Sequence, residues 1–414
     1  MDRFEKYKQL KEQFDFVYKG IHLNRVLAVF IWGLANNTVT FSWKQYALAF
    51  LAIDVRKLKF DAFTQSILST FGRYNRKDHL ELYKTVLERL NGQASYNNTL
   101  ELGWRFAFHP LLACKILAYA KKHLVGSSLS LCQKLQLVVL CLHYCNVIDE
   151  LKHINLRGVK KYLCQCSVLD LENLLTQYMK LKGIPTYSFQ EGVYYIFKTN
   201  IPLDAVQYEN FETDHLLCWG QYSADEDASY GISKNRLYVA GYPKKVTLHP
   251  LKENNSMKRC MVLLARDALR NANMSLLNVL SLAASKYEFC LKLHPSSDYD
   301  WYNNYVNRHG LAIVSKDKTI NECLNTEDYD FAIAVNTTAY YEAWMRGLPC
   351  LRFWDESFDL TAGLDDVFSS IEDFEVRLVK FRDLEKSTLQ KQVDEMLRYV
   401  MGVGIDNYKK ILCN

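Results

Sequence analysis

At 414 residues the chain is too long for one ordinary hydrophobic core, and two domains are expected. Its 49% hydrophobic and 23% charged residues are those of a globular protein and speak against disorder. A net charge of +5 is mild for this size: it argues against nucleic acid as a partner, while leaving room for peripheral contact with an anionic membrane surface or an anionic substrate.

The 12 Cys include no Cys-x-x-Cys pair, and Cys141, Cys164, Cys260, Cys290 and Cys350 sit in apolar runs. That usage fits a reducing, cytoplasmic compartment. The charged start, Met1 to Lys8, has no apolar core behind it and does not read as a secretion signal.

Residues 1–60 read as a helical extension, with Lys6, Lys8, Lys11, Lys19 and Arg25 facing either a membrane or the body of the protein. A strand and turn follow at Ser66–Gly72, then a helix over Arg76–Leu90 with an apolar face. Trp104–Leu151 is helix-rich. Strands are predicted at Lys161–Cys166, Pro185–Phe189, Leu216–Trp219 and Leu237–Ala240, with a helix over Asp170–Leu181 that Gly183 ends.

The polar segment Lys244–Lys258 reads as a linker between domains. After it the alternation resumes. Strands are predicted at Cys260–Ala265, Phe289–Leu293, Leu311–Val314, Phe331–Val335 and Cys350–Phe353. Helices are predicted at Leu276–Ser285, Trp301–His309, Ile320–Leu324 and Thr338–Arg346, with a last apolar-faced helix over Leu384–Leu412. Strands alternating with helices in this way build doubly wound parallel sheets, which bind ligands at their carboxyl ends.

Four strand ends carry chemistry. Gln190-Glu191-Gly192 places a carboxylate beside a glycine that lets a substrate approach. That suits a general base, and it also suits an exposed turn. Lys292-Leu293-His294-Pro295 puts an imidazole where it can donate to a phosphate, with Pro fixing the turn. His-Pro recurs at His109-Pro110 and His249-Pro250, but only His294 follows a strand of the second alternation.

Asn336-Thr337-Thr338 opens a helix, where hydroxyls and backbone N–H groups can hold an anion or simply cap. Glu342, one turn on, can reach a ribose hydroxyl or pair with Arg346. Arg266, just past the strand Cys260–Ala265, could clamp a phosphate. Three Asp-x-Asp triplets (at 225, 298 and 328) mostly reflect chance, the first and third flanking predicted elements where solvated or capping acids belong, and no metal is expected.

In order, Gln190-Glu191-Gly192, Gly241-Tyr242-Pro243, Lys292-Leu293-His294-Pro295 and Asn336-Thr337-Thr338 with Glu342-Ala343 and Gly347-Leu348-Pro349 resemble bacterial glycosyltransferases of the GT-B fold that build capsule and lipopolysaccharide. The resemblance is closest to the CMP-sugar-using Kdo transferases and sialyltransferases, more distantly to teichoic-acid-type polymerases, and covers about residues 160–355. It implies an α/β, GT-B-like fold: two Rossmann-type doubly wound domains (61–250 for the acceptor, 256–385 for the nucleotide donor) facing a cleft, with an N-terminal helical extension and C-terminal helices (386–414).

It implies Glu191 as base and His294 at the leaving phosphate. Arg266, Lys292, Pro295, Asn336, Thr337, Thr338 and Glu342 would join His294 around the nucleotide, with Gln190, Gly192, Gly72 and Arg73 on the acceptor side. It further implies a nucleotide-sugar donor, an oligosaccharide or glycolipid acceptor, inversion at the sugar carbon and no cofactor or metal. Many relatives carry Gln-His-Gly or a second acid at Gln190-Glu191-Gly192, and Ser-Ser for the chemically equivalent Thr pair. The single acid leaves the donor open, so a UDP-sugar transferase or a polyol-phosphate transferase is the alternative, and a nucleotide-sugar 2-epimerase, which shares the fold, is a further one.

Overall fold

The computed structural model describes all residues except 1, 41, 73–76, 200, 245, 247, 253–256, 310, 327 and 403–406, and describes only the backbone of 77, 78, 321, 325 and 326. Two wholly parallel sheets organise it. In the first, Ile67–Thr70, Lys161–Cys164, Thr186–Phe189, His215–Cys218 and Leu237–Val239 lie side by side in chain order. In the second the order is Ala312–Ile313, Glu288–Lys292, Arg259–Leu263, Phe331–Ala334, Cys350–Phe353, Val367–Phe368.

That second order is 3-2-1-4-5-6, the arrangement of dinucleotide-binding sheets, whose switch point falls between Arg259–Leu263 and Phe331–Ala334. The inner strands are buried runs such as Phe331-Ala-Ile-Ala334, as a sheet covered on both faces requires, while the edge strands Leu237–Val239 and Ala312–Ile313 are partly exposed. The chain is therefore an α/β protein of two Rossmann-type domains, arranged in the GT-B manner.

The carboxyl ends of the two sheets face each other. Tyr195, six residues beyond Thr186–Phe189, accepts a 2.6 Å hydrogen bond at its hydroxyl from Asn336, two residues beyond Phe331–Ala334. Tyr242, beyond Leu237–Val239, meets Glu342 at 3.4 Å. Tyr195, Trp219, Tyr222 and Tyr242 of the first domain join one apolar cluster with the second sheet.

The end of the chain also ties the domains together. Lys386–Val400 packs on Gln221–Tyr230, and Asn407–Cys413 returns to the first domain, where Tyr408 donates to the Gly241 carbonyl at 2.9 Å. Gly220 lets Lys386–Val400 approach, since a Cβ there would stand 2.2 Å from the Tyr399 carbonyl oxygen.

Residues 1–60 are less helical than expected. After Arg3–Gln13 comes a two-stranded hairpin, Val17–Tyr18 with Ile21–His22, turned by Lys19 and Gly20 at φ +50° and +82°. The expected basic face lies on the domain itself. Lys11 donates to Glu209 at 2.9 Å and Asn210 at 2.8 Å, Arg25 bonds Glu212 at 2.7 Å, and Lys19 bonds Asp149 at 2.5 Å. Tyr7, Phe14 and Leu23 are fully buried there.

Trp104–Phe106, expected within helical sequence, is a strand paired antiparallel with Leu51–Ile53. The second domain adds Val367–Phe368 and the helix Ile371–Asp383, neither anticipated, and the last helix is two, Lys386–Val400 and Asn407–Cys413. Among the described residues one helix, Leu131–His153, is long and apolar enough to cross a membrane, and more than half of it is buried inside the domain.

One acid of the Asp-x-Asp triplets turns inward. Asp227 is buried, and its Oδ2 meets no hydrogen-bond partner among the described residues. Burial, and then Glu226 beside it, push this carboxyl up to about 8. The folded state thus holds a proton that the unfolded chain releases near pH ~4. The linked stability is full below that pH and is lost as pH climbs through about 8. Asp227→Asn keeps the shape and removes the titration. Its stability relative to wild type is expected to rise steadily in urea melts run from pH ~5 to pH ~8; a difference that stays constant with pH contradicts this reading.

Candidate active site

The wall from the first domain is built where three of its strands end. Gln190 is fully buried: its Oε1 accepts from the Trp219 N–H at 2.7 Å, and its Nε2 donates to Ser223 Oγ at 2.8 Å and the Gly192 carbonyl at 2.6 Å. It pins two neighbouring strand ends together, which is a positioning role. Glu191, next along, is buried with its Oε2 3.6 Å from Nδ1 of His79, a residue of the helix Lys77–Arg89.

The same Nδ1 lies 3.2 Å from Gln165 Nε2, beyond Lys161–Cys164. His79 thus stands between an amide and a carboxylate. Unprotonated at Nδ1 it accepts from the amide; protonated there it faces Glu191. Gly192 opens onto space, with no atom within 4 Å of where a Cβ would be.

Gly72, expected on the acceptor side, is a close-approach residue. A Cβ there would stand 2.9 Å from Thr99 Oγ1 and 3.0 Å from Glu172 Cγ. Glu172 is buried and holds the ends of the first two strands, accepting from Thr70 Oγ1 at 2.8 Å and from the N–H groups of Gln165 and Cys166 at 3.2 Å each. Arg73 lies outside the described residues.

The opposite wall lies around the switch point of the second sheet. His294 Nδ1 accepts from the Ser296 N–H at 3.2 Å and meets Ser296 Oγ at 2.7 Å, which places the ring proton on Nε2. Pro295 beside it is exposed. Thr337 Oγ1 accepts from the Ala339 N–H at 3.3 Å and so caps the seven-residue helix Ala339–Met345, while Thr338 is already helical in backbone and makes no capping bond. Both are half-buried at the helix start.

Other expected nucleotide ligands have different partners. Arg266 forms a two-pronged ion pair with Asp204 of the first domain, 3.2 Å on one prong. Asn336, held at φ +37°, gives its amide to Tyr195 and, at 3.3 Å, to the Asp359 carbonyl. These two side chains join the domains. Lys292 is buried beside Cys323 and Glu322, and burial holds its ammonium below the usual lysine range.

Glu342 is half-buried at the junction. Burial pushes its carboxyl up against the pull of Lys244 and the Tyr242 bond, with Glu81 nearby, and Lys244 itself pairs with Glu81 at 3.0 Å. The structure therefore brings Glu191, Gln190 and Gly192 to one side, and His294, Thr337 and Thr338 to the other. His79, Glu81, Tyr195 and Asp204 were not singled out in the sequence. A His and a Glu two residues apart, opening the helix after a strand end, were the available signal for the first two.

No protein-family model matches the sequence, and no curated protein matches it. Among solved structures the chain is similar to S. aureus MnaA with UDP (TM-score 0.49, 10% identity, covering 84% of this chain and 95% of that one). It is also similar to the Neisseria meningitidis UDP-GlcNAc 2-epimerase bound to UDP-GlcNAc (0.48, 13%, 84% and 98%). A third is the lipopolysaccharide outer core galactosyltransferase WaaB in its apo form (0.47, 12%, 83% and 98%).

Proposed function

We propose that the chain is an inverting, metal-independent glycosyltransferase. It moves a sugar from a nucleotide-activated donor, CMP-linked by preference, to a hydroxyl of a surface polysaccharide or glycolipid acceptor. The observation that carries this reading is Glu191, buried next to His79 where Thr186–Phe189 ends, on the wall facing the switch point of the second sheet. Its carboxylate takes the proton of the acceptor hydroxyl as that oxygen attacks the anomeric carbon. The bond from that carbon to the donor phosphate breaks, and the nucleotide leaves with the electron pair. His294 Nε2–H and the hydroxyls of Thr337 and Thr338 stabilise the departing phosphate. All twelve cysteines are free thiols, which supports a cytoplasmic site of action.

The His79–Glu191 pair also favours a second reading, a nucleotide-sugar 2-epimerase, because it sets an acid and an imidazole together on one wall. The epimerase would alter a UDP-sugar with no acceptor present and wash deuterium from heavy water into the sugar. The transferase would do neither.

Thermal-shift measurements with CMP, CDP, UDP and GDP test the proposal. The matching nucleotide at saturation is expected to stabilise the protein by about 2.7 kcal/mol at a hundredfold excess over Kd. His294→Ala is expected to weaken that nucleotide by roughly 10- to 100-fold, the loss of one charge-assisted hydrogen bond. A protein that none of the four stabilises is not this enzyme.

A further inference from the structure

From Leu102 to Ile148 the chain has no Asp or Glu and carries Arg105, Lys115, Lys121, Lys122 and Lys134. The same stretch displays large apolar side chains to solvent. Trp104 and Phe106 project from one face of the two-stranded ribbon, 57% and 78% exposed, while Arg105 between them turns to Glu150. Phe108 rests on Phe50 with ring centroids 4.7 Å apart, and Trp43 at the start of the neighbouring segment is 78% exposed.

The helix Pro110–His123 buries only Ile116 and Ala120. Leu111, Lys115, Ala118 and Lys122 form one outward stripe along it, with Leu111 87% exposed. Lys115, Lys121 and Lys122 have no acidic partner among the described residues. Exposed aromatic rings and unpaired lysines, drawn from one stretch free of acids, have the chemistry of an interfacial surface.

We propose that this face docks on an anionic lipid bilayer, its aromatic rings at headgroup depth and its lysines on the lipid phosphates. The inference stands apart from the reaction. Of the basic residues in the chain's first segment, Lys11, Lys19 and Arg25 are paired within the domain.

The test is co-sedimentation of the full chain with vesicles of equal parts phosphatidylglycerol and phosphatidylcholine, and with pure phosphatidylcholine. Binding is expected only to the anionic vesicles, weakening as salt rises. Neutralising Lys115, Lys121 and Lys122 to Gln should cut partitioning roughly fivefold per lysine. Trp104→Ser with Phe106→Ser should weaken binding to the anionic vesicles and reduce the blue shift of tryptophan emission on vesicle addition, the remainder coming from Trp43. Because these side chains are exposed, the melting temperature and nucleotide shift of both variants should match wild type. Equal binding to neutral vesicles, unaltered binding by both variants, or no binding to the anionic vesicles overturns the proposal; in the last case a concentration-dependent dimer that shields Trp104 would assign the face to a second copy of the chain.

Discussion

Glu191→Gln is expected to lower the rate of sugar transfer by about 10²- to 10⁴-fold, the usual contribution of a positioned general base. The amide keeps the size of the carboxylate and sits beside His79 without accepting a proton. Nucleotide binding should be untouched, since the residue belongs to the wall opposite His294. Rates measured at saturating donor and acceptor check this. A variant within roughly tenfold of wild type removes Glu191 as base and passes the role to another group on the same wall, with His79 the first to examine.

Arg352→Met carries the largest expected loss of stability. Arg352, on Cys350–Phe353, is buried and bonds Asp366 at 2.7 Å, the Thr361 carbonyl at 2.5 Å and the Leu364 carbonyl at 2.9 Å. Asp366 is fully buried and also receives the Tyr340 hydroxyl. Removing the guanidinium leaves a buried carboxylate without its counter-charge, a cost of about 3–5 kcal/mol.

The damage should reach the cleft. The loop Arg352 holds also carries Asp359, which accepts from the Lys198 N–H at 2.6 Å and the Thr199 N–H at 2.8 Å across the domain junction. Urea unfolding measures the loss, and the double variant Arg352→Met/Asp366→Leu should recover part of it, because no lone charge remains. A loss below about 1 kcal/mol, the scale of an exposed pair, contradicts the account.

The parallel strands were legible because burial on both faces writes them as unbroken apolar runs, and the residues just past them could be named as strand ends. Glu191, His294, Thr337 and Thr338 were reached in this way. What stayed hidden was side-chain partnership between distant segments. Arg266 and Asn336 were read as phosphate ligands from their place at strand ends, yet their partners Asp204 and Tyr195 come from the other domain, 62 and 141 residues away.

Short strands were hidden for a different reason. Val367–Phe368 is two residues between acids and serines, and Trp104–Phe106 is three residues at the start of a long helical stretch, so neither has room to show a period. His79 was absorbed into an amphipathic helix, where its distance to Glu191 has no trace in local pattern.

The central claim is a division of labour across the cleft, with the nucleotide held by the second domain and the base supplied by the first. Calorimetric titration of cytidine monophosphate into wild type, Glu191→Gln and His294→Ala tests it most directly. The account predicts equal affinity for wild type and Glu191→Gln, and a roughly 10- to 100-fold weaker one for His294→Ala. Affinity lost in Glu191→Gln and kept in His294→Ala would contradict it.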